Sequence, residues 1–283
     1  MELFGLVTDM AYPDLPPSEA LRRVALDPFF SVAEVPSSSE VREVAETSGL
    51  VLTYCAQPAV LDEGADLGAS DEGKRRRAVE VIGRHIERAG RMGAKRLVVM
   101  SGPDPGEGGR REARRQLVRS LREVCDRAWD YGIEVVLETF DRDVDKRSLL
   151  GPTEEAVEVV EAVNRANLGL LLDLSHLPLL REDPWYAVQI AGELLFHVHV
   201  GNCVTEPSSP LYGDKHPRFG VDGGANGVED VEDFIRALHD VGFFEGELPI
   251  VSIEVRPLPG EDPELVLAGS KRLLTEALRR ARG

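Results

Sequence analysis

The sequence predicts a single (β/α)8 (TIM) barrel spanning residues 1–283. Two observations carry this. Eight short runs rich in Val, Ile and Leu alternate with amphipathic helical patterns from one end of the chain to the other. The last four of those runs each finish on or near a side chain that can bind a divalent cation. Strands alternating with helices form a parallel sheet covered on both faces, and eight such units close most economically into a barrel.

The strand candidates are residues 3–7, 30–35, 50–54, 96–100, 133–139, 168–174, 195–200 and 250–255. They are short and almost wholly apolar, as strands buried on both faces should be. Between them lie helix signals. Ser37 and Glu40 form a capping box ahead of Val41, Val44 and Ala45, and Gly49 stops that helix. Asp71 precedes a stripe of Val79, Ile82, Ile86 and Ala89, and Leu117, Leu121, Val124 and Ala128 mark the next one. Thr153 is expected to cap a helix whose first turn holds Glu154 and Glu155. Asp183-Pro184 and Asp262-Pro263 each set a cap before a proline at the first helical position. Gly242 follows a helix carrying Val231, Phe234, Ile235 and Leu238. An open doubly wound sheet would call for a glycine-rich phosphate loop after the first strand, which is absent.

Composition narrows the function. A net charge of −17 speaks against nucleic acid, since phosphate binding needs a basic face. The three cysteines, Cys55, Cys125 and Cys203, show no metal or disulfide spacing, so a reduced, cytoplasmic chain is expected, with Cys203 a bystander thiol. No run is long enough to span a bilayer, and no membrane partner is expected. The stretch 201–227 is too long for a simple connection and is expected to be a lid.

The four strand ends are Glu138 in IEVVLE, Asp173 in LGLLLD, His199 in LLFHVH and Glu254 in IVSIE. Side chains alternate along a strand. If these four point into the barrel, so do Val136, Leu171, His197 and Ser252, while Leu137, Leu172, Val198, Phe196, Ile253 and Val251 face the helices. Taken singly, each has a plainer use: a helix cap for Glu138 or Asp173, a satisfied core imidazole for His199, an ion pair with Arg256 for Glu254. Together they would meet at the C-terminal mouth, where barrel enzymes place their chemistry. Three carboxylates and an imidazole suit Mn2+, Co2+ or Mg2+. Two glutamates flanking a chelated hydroxy-ketone could take and return a proton through an enediolate.

The order Glu138, Asp173-x-x-His176, His197-x-His199, Glu254 resembles the xylose isomerase-like barrel superfamily of sugar isomerases and epimerases, notably its ketose 3-epimerase branch. The architecture of that superfamily covers nearly the whole chain, and its specific motifs lie in the second half. The resemblance implies one divalent cation, commonly manganese with cobalt, magnesium or zinc as alternatives, held by Glu138, Asp173, His199 and Glu254. It implies that Glu138 and Glu254 double as the acid–base pair, and that His176 hydrogen-bonds a substrate oxygen. It also implies a small-molecule sugar substrate and allows a homodimer or homotetramer. His197 is expected to support the centre rather than bind the ion, His85 and His239 are assigned surface or packing roles, and Trp129 and Trp185 are expected to pack.

The lid departs from the epimerase pattern. Thr205 stands where those enzymes carry a substrate-gripping arginine, and Asn202 stands where other relatives carry an acid. Lys215, His216 and Arg218, in LYGDKHPRFG, are the candidates to supply substrate contacts instead. The leading expectation is therefore a metal-dependent sugar or keto-sugar isomerase or epimerase. A lyase or dehydratase acting on a sugar or inositol derivative, or eliminating a glycoside, is the alternative, since an enediolate can also expel a β-substituent. A non-catalytic sugar-binding barrel is the third reading, and the full donor set argues against it.

Overall fold

The computed structural model describes residues 3–36 and 41–282; the capping box expected at Ser37 and Glu40 lies outside the described residues. Eight strands run β1 (Leu3–Val7), β2 (Val32–Val35), β3 (Val51–Cys55), β4 (Arg96–Met100), β5 (Glu134–Glu138), β6 (Leu168–Asp173), β7 (Leu195–Gly201) and β8 (Ile250–Glu254). Each pairs in parallel with the next, and β8 closes on β1 through Leu3–Ile250 to Leu6–Ile253. Helices interleave with the strands, so the chain is a closed (β/α)8 barrel, as the alternation predicts.

Strand alternation splits the apolar residues into two layers. Val98, Val136 and Leu171 pack together inside the barrel. Val135, Leu137, Leu170, Leu172, Val198, Val251 and Ile253 turn outward into the large core beneath the helices. Each fully buried leucine in that layer contributes about 1.5–3 kcal/mol. The inward register expected for β5, β6 and β8 is therefore the one found.

Strand β7 departs from it at one point. Leu170 pairs with Leu195, but Leu171 pairs with His197, so Phe196 is an extra residue opposite a single step of β6. A bulge of this kind re-aims the side chains around it. Phe196, expected to face the helices, instead packs on the Val98, Val136 and Leu171 cluster inside the barrel. Its ring covers Gly169, and the Arg96 guanidinium lies 5.7 Å from the ring centroid. Arg96 also pairs with Glu134 at 2.9 Å, closing the end of the barrel opposite the site.

The helix caps follow the sequence at three places. Asp71 accepts from the Lys74 N–H, Asp183 from Tyr186 and Asp262 from Glu264. Thr153 is different: the helix Thr153–Val163 has Pro152 at its cap position, and the Thr153 hydroxyl donates to Glu182 at 2.6 Å. The proline fixes the backbone angle that the cap position needs, which frees the threonine for a tertiary contact. Trp129 and Trp185 are 65% and 42% exposed, against the expectation that they pack. Each falls off its helix's buried stripe, Trp129 one residue past Ala128 and Trp185 on the far side from Ala187, Val188 and Ala191. His85 is buried and satisfied, between the Tyr54 hydroxyl at 2.9 Å and Glu63 at 2.8 Å, and His239 lies at the surface against Phe244. Among the described residues no helix is long and apolar enough to cross a membrane.

The Phe196 bulge yields a stability test. A Cβ on Gly169 would fall closer than 3.0 Å to three carbons of the Phe196 ring. Gly169→Ala should destabilise the barrel by about 1–3 kcal/mol, measured by urea unfolding. A change near zero would mean that Phe196 does not occupy the barrel interior.

Candidate metal centre

Strands β5, β6, β7 and β8 bring Glu138, Asp173, His199 and Glu254 to one point at the C-terminal mouth. One donor atom from each lies within 4.8 Å of the others. His199 Nδ1 stands 2.6 Å from Glu254 Oε2 and 3.8 Å from both Glu138 Oε1 and Asp173 Oδ2. Glu138, Asp173 and His199 are fully buried, and the Glu254 side chain is 12% exposed.

The hydrogen bonds around these groups leave one atom of each pointing at the centre. Gln57 Nε2 donates to Glu138 Oε2 at 2.9 Å, which leaves Oε1. The Ser175 N–H donates to Asp173 Oδ1 at 2.6 Å, which leaves Oδ2. His199 Nε2 donates to Glu34 Oε1 at 3.0 Å, which leaves Nδ1. Asp173 Oδ2, His199 Nδ1 and Glu254 Oε2 have no hydrogen-bond partner, and the close approach of the last two is off the line of a hydrogen bond. Buried polar atoms are nearly always satisfied. Three orphaned donors converging on one point fit a divalent cation, and three carboxylate oxygens with one imidazole suit a hard to intermediate ion.

The protein's own charges already strain these groups. Burial, with Glu254 and Asp173 adding to it, raises the Glu138 carboxyl to about 8 against the opposing pull of His199 and His176. Burial also pushes Asp173 up, but the imidazoles of His176, His199 and His216 outweigh it and hold the carboxyl well below its usual range. Burial lowers His199, yet Glu34 and Glu254 carry it well above an ordinary imidazole. A cation at this point would replace those protons.

The loop after β7 contributes more than the sequence suggests. His216 is buried, with Nε2 2.6 Å from Asp214 Oδ1 and Nδ1 3.8 Å from Asp173 Oδ2. Its backbone is left-handed, φ +47°, a cost of about 1–3 kcal/mol that the surrounding contacts must hold in place. Asp173, His176 and His216 form a further set of donors within 4.8 Å, as do Glu34, His197 and His199. His176 does not reach the cavity. Its Nδ1 donates to the Thr139 carbonyl at 2.8 Å and its Nε2 meets Asp214 Oδ1 at 3.1 Å, so both ring nitrogens are already partnered within the protein. Arg218 also turns away, its Nε donating to Glu261 at 2.6 Å. Lys215 and Arg256 line the cavity mouth. Thr205 is exposed.

A cavity of about 450 Å3 opens over the donors, with Glu138, Glu254, Gln57, Lys146, Asp214 and His216 on its wall. The loop after β7 is tied to the loop after β5: the Asp214 N–H donates to Asp145 Oδ2 at 2.6 Å, and Lys146 Nζ stands 2.9 Å from Asp214 Oδ2. Cys203 is buried and its thiol is pushed up to about 12, chiefly by burial, which fits the bystander role.

Four contributors escaped the sequence reading: Glu34, Gln57, Lys146 and Asp214. Glu34 carried a usable signal, a lone carboxylate inside the apolar run VAEV. Gln57, Lys146 and Asp214 sit in loops, where a polar residue draws no notice.

Comparison with known proteins decides the family. A model described as the xylose isomerase-like TIM barrel matches residues 16–276. The chain belongs to the xylose isomerase-like TIM barrel family. Its relatives include a 2-oxo-tetronate isomerase from Haemophilus influenzae, 26% identical over 140 residues, which are 49% of this chain and 54% of that protein. An inosose isomerase from Bacillus subtilis is 27% identical over 51% of this chain and 48% of its own length. The matched region thus spans about half the length of these curated relatives. A D-tagatose 3-epimerase-like protein superposes with a TM-score of 0.77 at 21% identity, covering 99% of this chain and 98% of that one. The IOLI protein, solved with a zinc atom bound, also reaches 0.77, at 16% identity and 99% coverage of both chains. At these identities the two structures establish the fold.

Proton competition gives a prediction. Because His199 is held above its ordinary value, cation binding must displace its proton. Apparent affinity should therefore fall as pH drops from 8 to 6, by up to about tenfold per pH unit for each proton displaced. Calorimetric titration with Mn2+ at several pH values measures this, and a flat profile would remove His199 from the donor set.

Proposed function

We propose that the chain is a divalent-metal-dependent isomerase or epimerase of a keto-sugar or related polyhydroxy ketone. The observation that carries this is the pair Glu138 and Glu254, both on the wall of one cavity and both with an oxygen directed at the same cation-sized point. Glu138, Asp173, His199 and Glu254 would hold the ion, and manganese suits that donor set best, with cobalt, magnesium and zinc as alternatives. Bound there, the ion would polarise a ketone and its neighbouring hydroxyl and so acidify the C–H between them.

The chain's own residues do the rest. One glutamate, ionised, takes the proton from carbon, and the other, protonated beforehand, gives its own proton to the opposite face or to the adjacent carbon of the enediolate, after which the two exchange protons with solvent. Gln57 fixes the rotamer of Glu138 through its amide. Phe140 and Leu211 supply apolar wall, and Lys146, Lys215 and Arg256 present N–H donors to substrate oxygens at the mouth. Asp214 and His216 take up the substrate-facing position expected of His176. An acidic chain with three buried, unpaired thiols suits a reducing, cytoplasmic setting and a small-molecule partner.

One observation supports a second reading. His216, paired with Asp214 beside Glu254, could protonate a departing β-substituent, which would make the enzyme a lyase or dehydratase. Incubation with ketoses in heavy water separates the two. Deuterium gained at carbon with no loss of water or leaving group supports the isomerase; stoichiometric elimination supports the lyase.

Glu254→Gln should lower kcat by about a hundred- to ten-thousand-fold while leaving the unfolding transition in place. Undiminished turnover of an active ketose would take Glu254 out of the proton path.

A further inference from the structure

Glu34 lies on β2, across the barrel from the β7 histidines, and is fully buried. Its Oε1 receives two imidazole nitrogens, His197 Nε2 at 2.9 Å and His199 Nε2 at 3.0 Å. The intervening wall is pared down to let these groups meet. Gly5 on β1 pairs with Ser252 on β8, which pairs with His199. A Cβ on Gly5 would collide with the Ser252 hydroxyl.

We propose that Glu34 is a positioning residue that sets the tautomer of His199 and thereby makes Nδ1 the atom offered to a cation. A carboxylate only accepts, so the ring nitrogen facing Glu34 must carry its proton. In neutral imidazole the lone pair then lies on Nδ1, the atom that faces Asp173, Glu138 and Glu254. A lone pair directed at three carboxylates is repulsive by itself and favourable only around a positive ion. Histidine ligands commonly donate their second nitrogen to a carboxylate, which orients the ring and raises its basicity. The same oxygen holds His197, whose ring stands 89° to that of His199 at 5.2 Å. Glu34 therefore fixes both rings at once, and His197 buttresses the carboxylate without touching the cavity.

This inference rests on the four-residue cation site, and its test keeps the two separable. Full-length chain labelled with 15N is loaded with Zn2+, and long-range imidazole correlation spectra are recorded beside a zinc-binding isotherm. In the wild type, His199 should show a proton on Nε2 and a metal-bound Nδ1. Glu34→Gln keeps the side chain's size but offers an amide that can turn its NH2 toward one ring, forcing that ring to accept at Nε2. Zinc affinity should drop about 10–100-fold, with a second His199 tautomer appearing. Affinity within about twofold of wild type and an unchanged His199 spectrum would overturn the role of Glu34 alone. If Glu34→Gln does not fold, the wild-type spectrum decides: ligation through Nε2, or a proton on Nδ1, overturns the inference. A wild type that takes up no zinc defeats the cation site and this inference with it.

Discussion

Buried negative charge is the constraint on which the mouth of this barrel depends. Glu34, Glu138, Asp173 and Asp214 are almost completely removed from water, and Glu254 is close to it. An unpaired carboxylate in such surroundings costs several kcal/mol. Four imidazoles, His176, His197, His199 and His216, are threaded between these acids so that each acid meets at least one ring. Among the atoms left without a partner, the free oxygens of Asp173 and Glu254 converge with His199 Nδ1 at a single point. That convergence is what a cation and a substrate with oxygen donors would complete.

The barrel makes this arrangement reachable by removing bulk. Gly5 and Ser252 open the path between β2 and β7. Gly201 does the same for the loop after β7, because a Cβ there would lie 2.8 Å from the Glu254 carbonyl and 3.1 Å from His216 Nδ1. Apolar bulk is concentrated lower in the barrel, where Phe196, Val98, Val136 and Leu171 fill the interior. The division is physical: dispersion and hydrophobic burial hold the lower layer, and electrostatic pairing holds the upper one.

How much of this was legible in the sequence varied with the kind of signal. All eight strands and the inward register of β5, β6 and β8 could be read, because a short apolar run and the alternation of side chains back from its polar end are local information. The position of Phe196 could not, since a bulge shows only when β7 is paired with β6. The convergence of Glu138, Asp173, His199 and Glu254 was visible because each ends an apolar run. Glu34 gave a similar signal from β2 but stood far from the others along the chain. The roles of His176, His216 and Arg218 depended on how a loop of more than twenty residues folds back, and no local pattern encodes that. Asp214 partners His176, and Glu261 draws Arg218 away.

The ties between the loop after β7 and the loop after β5 make two distant stretches of the chain depend on each other. Asp145 and Lys146 both grip Asp214, and the space where Gly213 would carry a Cβ is filled by the Asp145 carboxylate. The two loops, 69 residues apart in the chain, are thus held as one mechanical unit, and a side chain larger than glycine at position 213 would have to displace Asp145 and with it the partner of the Asp214 N–H.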